Sequence, residues 1–355
     1  MKKLILGLCV LTLLVVACQD DANNSISEEN FSQIEVDMSD FYVKTEDLND
    51  SKSTNEDERS CHSMKVLNEK LKQNPGLERR MYNIERHTRQ AIAFKGKPSN
   101  PGGGNGGGGG GSDPTPYTGA VTIPVIVNIL EDSAHPVTQS HIDSQIAILN
   151  ADFNDNNPNT SGVPAEFAGL VANSNITYTL AGVVRKASTK ATWGTNDAMK
   201  DSGQGGIDAT DSSTYLNLWV CEIGGGILGY AQFPGGSAAT DGVVIGSDFF
   251  GENTAGGVYG HGRTATHEVG HWLNLRHIWG DGRCRQDDFV ADTPSSDRAN
   301  YQCPTYPTVH CKSNDMTMNY MDYVYDDCMY MFTNGQDDRM RALFAAGGAK
   351  ESFVN

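Results

Sequence analysis

The sequence predicts an α+β fold preceded by a small helical unit, and three observations carry that prediction. Residues 101–112 are almost pure glycine, a composition that cannot pack, so they separate two folded parts. Ahead of them, apolar residues recur at helical spacing. Behind them, extended apolar runs and a few helices come first, and loops dominate after residue 273.

In the first part, Met64, Leu67 and Leu71 share one helical face, Asn74-Pro75-Gly76 breaks the run, and Leu77, Met81, Ile84 and Ala91 resume it. The spacing predicts a helical hairpin over 64–94. The large domain begins near Tyr117. Residues 121–130 read as a buried strand, with Pro124 placing it at an edge or a bulge. Thr138 caps a helix carrying Ile142, Ile146, Leu149 and Phe153 on one face. Strands follow at 176–184 and 215–221, and Gly224-Gly225-Gly226 turns the chain into an extended stretch at 227–233. A short strand at 243–245 precedes a helix at 263–273. A last helix, 335–346, is stopped by Gly347-Gly348.

The formal charge of −17 excludes nucleic acid as a partner, because phosphates call for Lys and Arg. Lys2-Lys3 followed by an apolar run to Ala17 has the form of a signal peptide, too short to span a membrane. The run ends in Val15-Val16-Ala17-Cys18, which resembles a bacterial lipobox, so Cys18 is the expected lipidation site. Residues 18–60, rich in Asp, Glu, Asn and Ser, read as a disordered tether. Cys61 and Cys221 stand alone, Cys221 as a buried free thiol on a strand. Cys284, Cys303, Cys311 and Cys328 cluster, and in an exported chain they imply two disulfides with three connectivities open.

The chemistry resides in His267-Glu268-Val269-Gly270-His271-Trp272-Leu273-Asn274-Leu275-Arg276-His277. Residues i and i+4 of a helix lie one above the other, so His267 and His271 can hold one metal ion, with Glu268 beside it to take a proton from water. Val269, Trp272 and Leu273 give this helix a buried face, which sets it apart from a surface helix with spare histidines. His277 can join only if the chain turns sharply after His271. Three neutral imidazoles leave a fourth tetrahedral position for water, the mark of a catalytic zinc site. Zinc would bring the pKa of that water to about 7.

This segment resembles the metzincin zinc signature H-E-x-x-H-x-x-G-x-x-H, with Asn274 in place of glycine. Asn is the non-glycine residue most tolerant of the left-handed turn needed there. Met318-Asn319-Tyr320-Met321-Asp322-Tyr323 resembles the Met-turn, which implies Met321 beneath the metal and Tyr323 beside it, hydrogen-bonding the oxyanion. Together with G-G-G-I-L-G-Y-A-Q-F-P at 224–234, D-T-P at 292–294 and M-D-Y-V-Y-D-D-C at 321–328, the chain is similar to the pappalysin family and its ulilysin-like bacterial members over roughly 117–344.

The resemblance implies a metzincin-type catalytic domain in two subdomains, a twisted mixed sheet with the active-site helix and an irregular C-terminal part holding the Met-turn. It implies disulfides Cys284–Cys311 and Cys303–Cys328. It implies a structural Ca2+ with Asp288, Asp292 and Thr293 as oxygen ligands, although Ser295 replaces a carboxylate. It implies Asp327 at the floor of a pocket favouring Arg or Lys just after the scissile bond. Residues 228–233 are the candidate sheet edge along which a peptide adds as a strand.

The front third then fits a pro-segment in which the thiolate of Cys61, in Arg59-Ser60-Cys61, blocks the zinc. The expected plan is a signal peptide (1–17), a lipid-anchored tether (18–60), a helical pro-segment (61–100), a glycine-rich linker (101–116) and a zinc peptidase domain (117–355). The expected function is a zymogen-derived zinc endopeptidase acting on proteins or peptides. It would sit on the bacterial outer membrane through its lipid or be secreted, and a cut between Arg79 and Ser112 would both activate and release it. A surface lipoprotein that binds through a vestigial zinc site is the competing expectation, and the intact Glu268 with three histidines argues against it. A non-proteolytic zinc hydrolase is a third, disfavoured by the long cleft and the pro-segment.

Overall fold

A computed structural model describes residues 35–45, 60–95 and 115–354. The signal peptide, Cys18, most of the tether and the glycine run lie outside the described residues. The front part is the expected hairpin, α1 (Ser63–Gln73) and α2 (Leu77–Lys95). The large domain builds one five-stranded sheet from β1 (Val121–Glu131), β2 (Ile176–Ala187), β3 (Leu216–Cys221), β4 (Gly229–Ala231) and β5 (Val243–Gly246). The strand order is β2-β1-β3-β5-β4. Four strands are parallel and β4, at the edge, runs antiparallel to β5.

Pro124 does not make β1 an edge strand. β1 lies between β2 and β3, pairing with β3 starts only at Val125, and the register with β2 shifts between Val125 and Ile126. The proline thus sits before β3 begins to pair and next to the irregularity, where its missing N–H costs no inner ladder bond.

The two-residue period of the strands sorts side chains onto two cores. Leu218, Val220, Val243 and Ile245 join Ile142, Leu149 and Phe153 of α3 (Gln139–Phe153) and Val269 and Trp272 of α4 (Arg263–Trp272) on one face. Trp219, Cys221, Tyr230 and Val244 face the other way, with Trp193 and Met199. Cys221 is free and buried, and burial pushes its thiol up. Thr138 caps α3 through a reciprocal capping box with His141. After α4 the chain is mostly turns, with short strands Tyr301–Gln302 and Tyr323–Val324 paired, and ends on α5 (Asn334–Ala342). Two disulfides staple this part, Cys284–Cys311 and Cys303–Cys328.

Residues 35–45, placed by composition in the tether, pack against the folded parts. Val43 is buried with Met64, Leu67, Leu71, Leu77 and Met81 of the hairpin and Phe233 of the large domain. Tyr42 donates to the carbonyls of Gly280 and Asp287, and its ring lies under the Arg276 guanidinium. The average polarity of the stretch hides Phe41-Tyr42-Val43, three apolar residues in a row that have surface to bury.

Candidate metal centre

Helix α4 is held at its start by a distant residue. The buried Asp326 carboxylate accepts the N–H groups of His261 (3.0 Å) and Arg263 (3.2 Å), satisfying donors that a helix N-terminus leaves free. Behind the helix, buried Asp152 accepts from Thr266, Tyr320 and Asn157. Neither carboxylate was among the sequence candidates, since the bonds that tie each of them to the site span more than sixty residues of chain.

His267, Glu268 and His271 are buried on α4. The helix closes with Leu275 N–H donating back to Gly270 O (2.9 Å), and Asn274 takes φ 70°, the left-handed turn expected of it. That turn brings His277 back. Its Nε2 lies 3.1 Å from His271 Nε2, which lies 3.2 Å from His267 Nε2.

The outer nitrogens explain why the inner ones face each other. His267 Nδ1 meets Tyr320 O (2.7 Å), His271 Nδ1 meets Leu275 O (2.8 Å), and His277 Nδ1 meets the Asp281 carboxylate. Oxygen acceptors at all three Nδ1 positions require N–H there, which leaves three lone pairs converging from Nε2. Three lone pairs at such separations repel unless a cation lies between them. Nitrogen ligands about 2.0–2.1 Å from a zinc ion in a tetrahedron would lie about 3.3 Å apart. The donor set therefore fits zinc.

Met321 is fully buried below this cluster, and a Cβ on Gly270 would come within 2.5 Å of its Sδ. Asn319 holds the Met-turn, accepting from Met321 N–H (2.9 Å) while its amide donates to Gln336 (2.8 Å). Asp322, pushed up to about 7 by burial, accepts from the backbone of Asn300 and of Tyr323. The Tyr323 ring stands 4.9 Å from that of His277, which also stacks on Trp279.

The front part enters this site. Residues 60–62 run along the β4 edge: Leu228 N–H donates to Ser60 O (3.0 Å) and His62 N–H to Gly229 O (3.1 Å). Cys61 Sγ lies 3.6 Å from His271 Nε2, and the four possible ligand atoms of Cys61, His267, His271 and His277 are all within 4.8 Å of one another. The Tyr323 hydroxyl donates to Cys61 O (3.3 Å). The buried Ser63 hydroxyl donates to Glu268 Oε2 (2.6 Å) and accepts from Ala231 N–H (2.7 Å). Ser63 was not a sequence candidate. Nothing in its neighbours marks a serine that meets a carboxylate 205 residues away.

The remaining expected residues are less gathered. Asp327, expected at a pocket floor, is exposed on the turn Asp326–Cys328, 3.8 Å from His261 Nε2. Thr293 donates to Asp288 (2.9 Å), whose buried carboxyl is pushed well up by burial and then by Asp287. Asp292 instead serves the start of α5, accepting from the Thr333 hydroxyl (2.6 Å) and Gly335 N–H (2.8 Å).

Two histidines on an H-E-x-x-H helix, a third brought back by the turn after it, and a buried methionine below define a metzincin-type zinc metalloendopeptidase. Residues 206–345 match the Peptidase_M43 family, described as pregnancy-associated plasma protein-A. Among curated proteins, an extracellular metalloprotease of Arthroderma gypseum is 32% identical over 243 residues, covering 65% of this chain and 75% of the relative. An extracellular metalloprotease of Pyricularia oryzae is 33% identical, covering 64% and 76%. Among solved structures, mature mirolysin of Tannerella forsythia in complex with a cleaved peptide is 41% identical with a TM-score of 0.65, covering 67% of this chain and 96% of that one. A promirolysin mutant from the same organism is 35% identical with a TM-score of 0.70, covering 83% and 97%. The chain belongs to the pappalysin family of metzincin peptidases.

Proposed function

We propose that the chain is made as a latent zymogen, exported from the cell, and becomes an endopeptidase when its front part leaves. The observation that carries this reading is Cys61 Sγ at 3.6 Å from His271 Nε2, beside the three converging imidazoles, with Ser63 on Glu268. The greater coverage of the proenzyme structure than of the mature one supports it, since the added match extends over more of this chain.

In this reading His267, His271 and His277 hold the zinc, which when bound polarises the peptide carbonyl and acidifies water. Glu268 takes the proton of the attacking water and passes it to the leaving amine. Tyr323, its hydroxyl freed from Cys61 O, donates to the developing oxyanion. The β4 edge, freed of residues 60–62, takes the substrate backbone. Asp327, an exposed carboxylate, draws Arg or Lys to the position after the scissile bond. Ca2+ binds at Asp288 and Thr293, offsetting the crowding of Asp288 with Asp287, and Asp292 joins them only through oxygen lone pairs that Thr333 and Gly335 leave over. Lipid on Cys18 tethers the zymogen to the outer membrane, and a cut between Arg79 and Ser112 releases the active domain.

The test is a peptide library given to the processed protein and to its Glu268→Ala variant. Cleavage before Arg or Lys is expected, abolished by chelator and lowered about 10²–10⁴-fold in the variant. Full activity in the variant would remove Glu268 from the mechanism, and cutting without regard to the following residue would remove Asp327.

A further inference from the structure

Asp197 is a buried carboxylate of the catalytic domain that the chemistry above does not use. Its Oδ2 pairs with Lys70 Nζ of α1 at 2.6 Å, and its Oδ1 meets Lys200 Nζ (3.1 Å) and the Tyr230 hydroxyl (3.0 Å). Tyr230 is the middle residue of β4, so this acid is tied to the strand that residues 60–62 occupy. Asp197 also holds φ 62°, a conformation that costs a non-glycine residue energy and so points to a fixed purpose.

A cavity of about 230 Å³ remains between α1 and the domain here. It is lined by Lys70 from one side and by Asp197, Tyr230, Phe233 and Thr240 from the other. Val66, Leu67, Leu77, Ala231 and Phe233 give it apolar wall, and Asp197 lines it with Lys200 on its other oxygen. That suits a long cationic side chain, which packs its methylenes on apolar surface and keeps its charge at a carboxylate. The unfilled space admits a side chain larger than lysine.

We propose that Lys70 occupies a substrate subsite, and that in the processed enzyme Asp197 receives a Lys or Arg side chain of the peptide lying along β4. The site lies on the Tyr230 side of that strand. The inference rests on the reading that α1 belongs to a removable pro-segment and that β4 takes the substrate backbone. It gives the enzyme a second acidic determinant, separate in sequence and place from Asp327, and hence a preference for substrates with two basic residues.

The test uses the processed wild-type enzyme and peptides with one fixed cleavage site, in which Lys replaces norleucine at each flanking position in turn. One position on the β4 side is expected to favour Lys by about tenfold in kcat/KM, the worth of one charge-assisted hydrogen bond. Asp197→Asn is expected to erase that ratio while the preference at the residue after the scissile bond persists. Equal rates for Lys and norleucine at every position other than that one would overturn the subsite, and this readout needs no variant to fold. If unprocessed chain cleaves peptides as fast as processed chain, the pro-segment reading fails, and the subsite falls with it.

Discussion

The contact that should govern release of α2 is the ion pair between Glu85 and Arg339. Arg339 donates to both Glu85 oxygens (3.1 and 2.8 Å), and the two side chains are 4% and 2% exposed. Arg89 adds a bond from Nε at 2.8 Å. Burial would raise the Glu85 carboxyl, but Arg339 and then Arg89 outweigh it and hold it down at about 2. Glu85→Gln removes the negative charge and one acceptor oxygen, leaving the Arg339 charge covered by α2 with only neutral acceptors, the new amide oxygen and the carbonyls of Phe289 and Asn274. Breaking one side of a buried pair costs about 3–5 kcal/mol. The fall of Glu85 from 4.5 to about 2 corresponds to about 3 kcal/mol, the low end of that range. The undocked fraction of α2 should therefore rise about 10²-fold or more. Hydrogen exchange of the α2 amides in the intact chain reads this directly, and the lag before activity appears should shorten with it. The pH dependence follows in sign. A carboxyl with a depressed pKa contributes its stabilisation fully above the undocked value of about 4.5, and loses it as pH falls toward 2. Wild-type α2 should loosen across that window and the Glu85→Gln chain should not. Exchange in α2 unchanged within about threefold would refute the reasoning.

Two further perturbations address the site itself. Ser63→Ala takes away a hydroxyl that serves Glu268 and Ala231 together, and a hydrogen bond to a charged group is worth about 1.5–3 kcal/mol. The intact chain should activate sooner, and the processed enzyme, which on the proposed cut has lost residue 63, should match wild type; an unchanged activation time would count against Ser63 as a latch. Gly270→Ala forces a methyl into the Met321 sulfur, an overpacking that costs about 1–3 kcal/mol. It should lower the melting temperature by several degrees and reduce bound zinc, whereas an unaltered melting curve would show that the Met-turn yields at no cost.

The parts of this site that were legible in the sequence are those written locally. The helix with His267, Glu268 and His271 follows from spacing on one face. Asn274 was readable as a left-handed turn because few other residues tolerate φ 70°. Cys61 and the two disulfides were found by resemblance, and the structure places the cysteine pairs in that connectivity. What was hidden depends on pairs far apart in the chain. Asp326 caps a helix 63 residues before it, and Glu85 meets an arginine 254 residues away. Each of these looks like an ordinary surface residue in its own window, because periodicity reports burial against a core but not the identity of a polar partner. The docking of 35–45 was missed for a related reason, since composition averages over a window and three apolar residues suffice to anchor one.

If the front part is a pro-segment, as proposed, its contacts account for a stable latent state. An active site is a set of polar groups left unsatisfied for the substrate: a general base, an oxyanion donor, an open strand edge and converging imidazole lone pairs. Left buried and unpaired, each such group costs about 1–3 kcal/mol. Residues 60–63 meet all four at once, with backbone on β4, Cys61 O on Tyr323, the Cys61 thiol beside His271 and the Ser63 hydroxyl on Glu268. On that proposal the segment 60–63 needs no affinity beyond what the catalytic groups already offer to a peptide. On the proposed reading it escapes cleavage because the Cys61 thiol lies beside the imidazoles where the attacking water would be held and the Ser63 hydroxyl occupies Glu268. The grip of α2 through Glu85 and of Val43 through its apolar cluster lies outside the cleft. It raises the effective concentration of that short segment. On this argument a chain weakened only at Glu85 should still close its site but reopen it more often, while one altered only at Ser63 should stay docked and close it less completely.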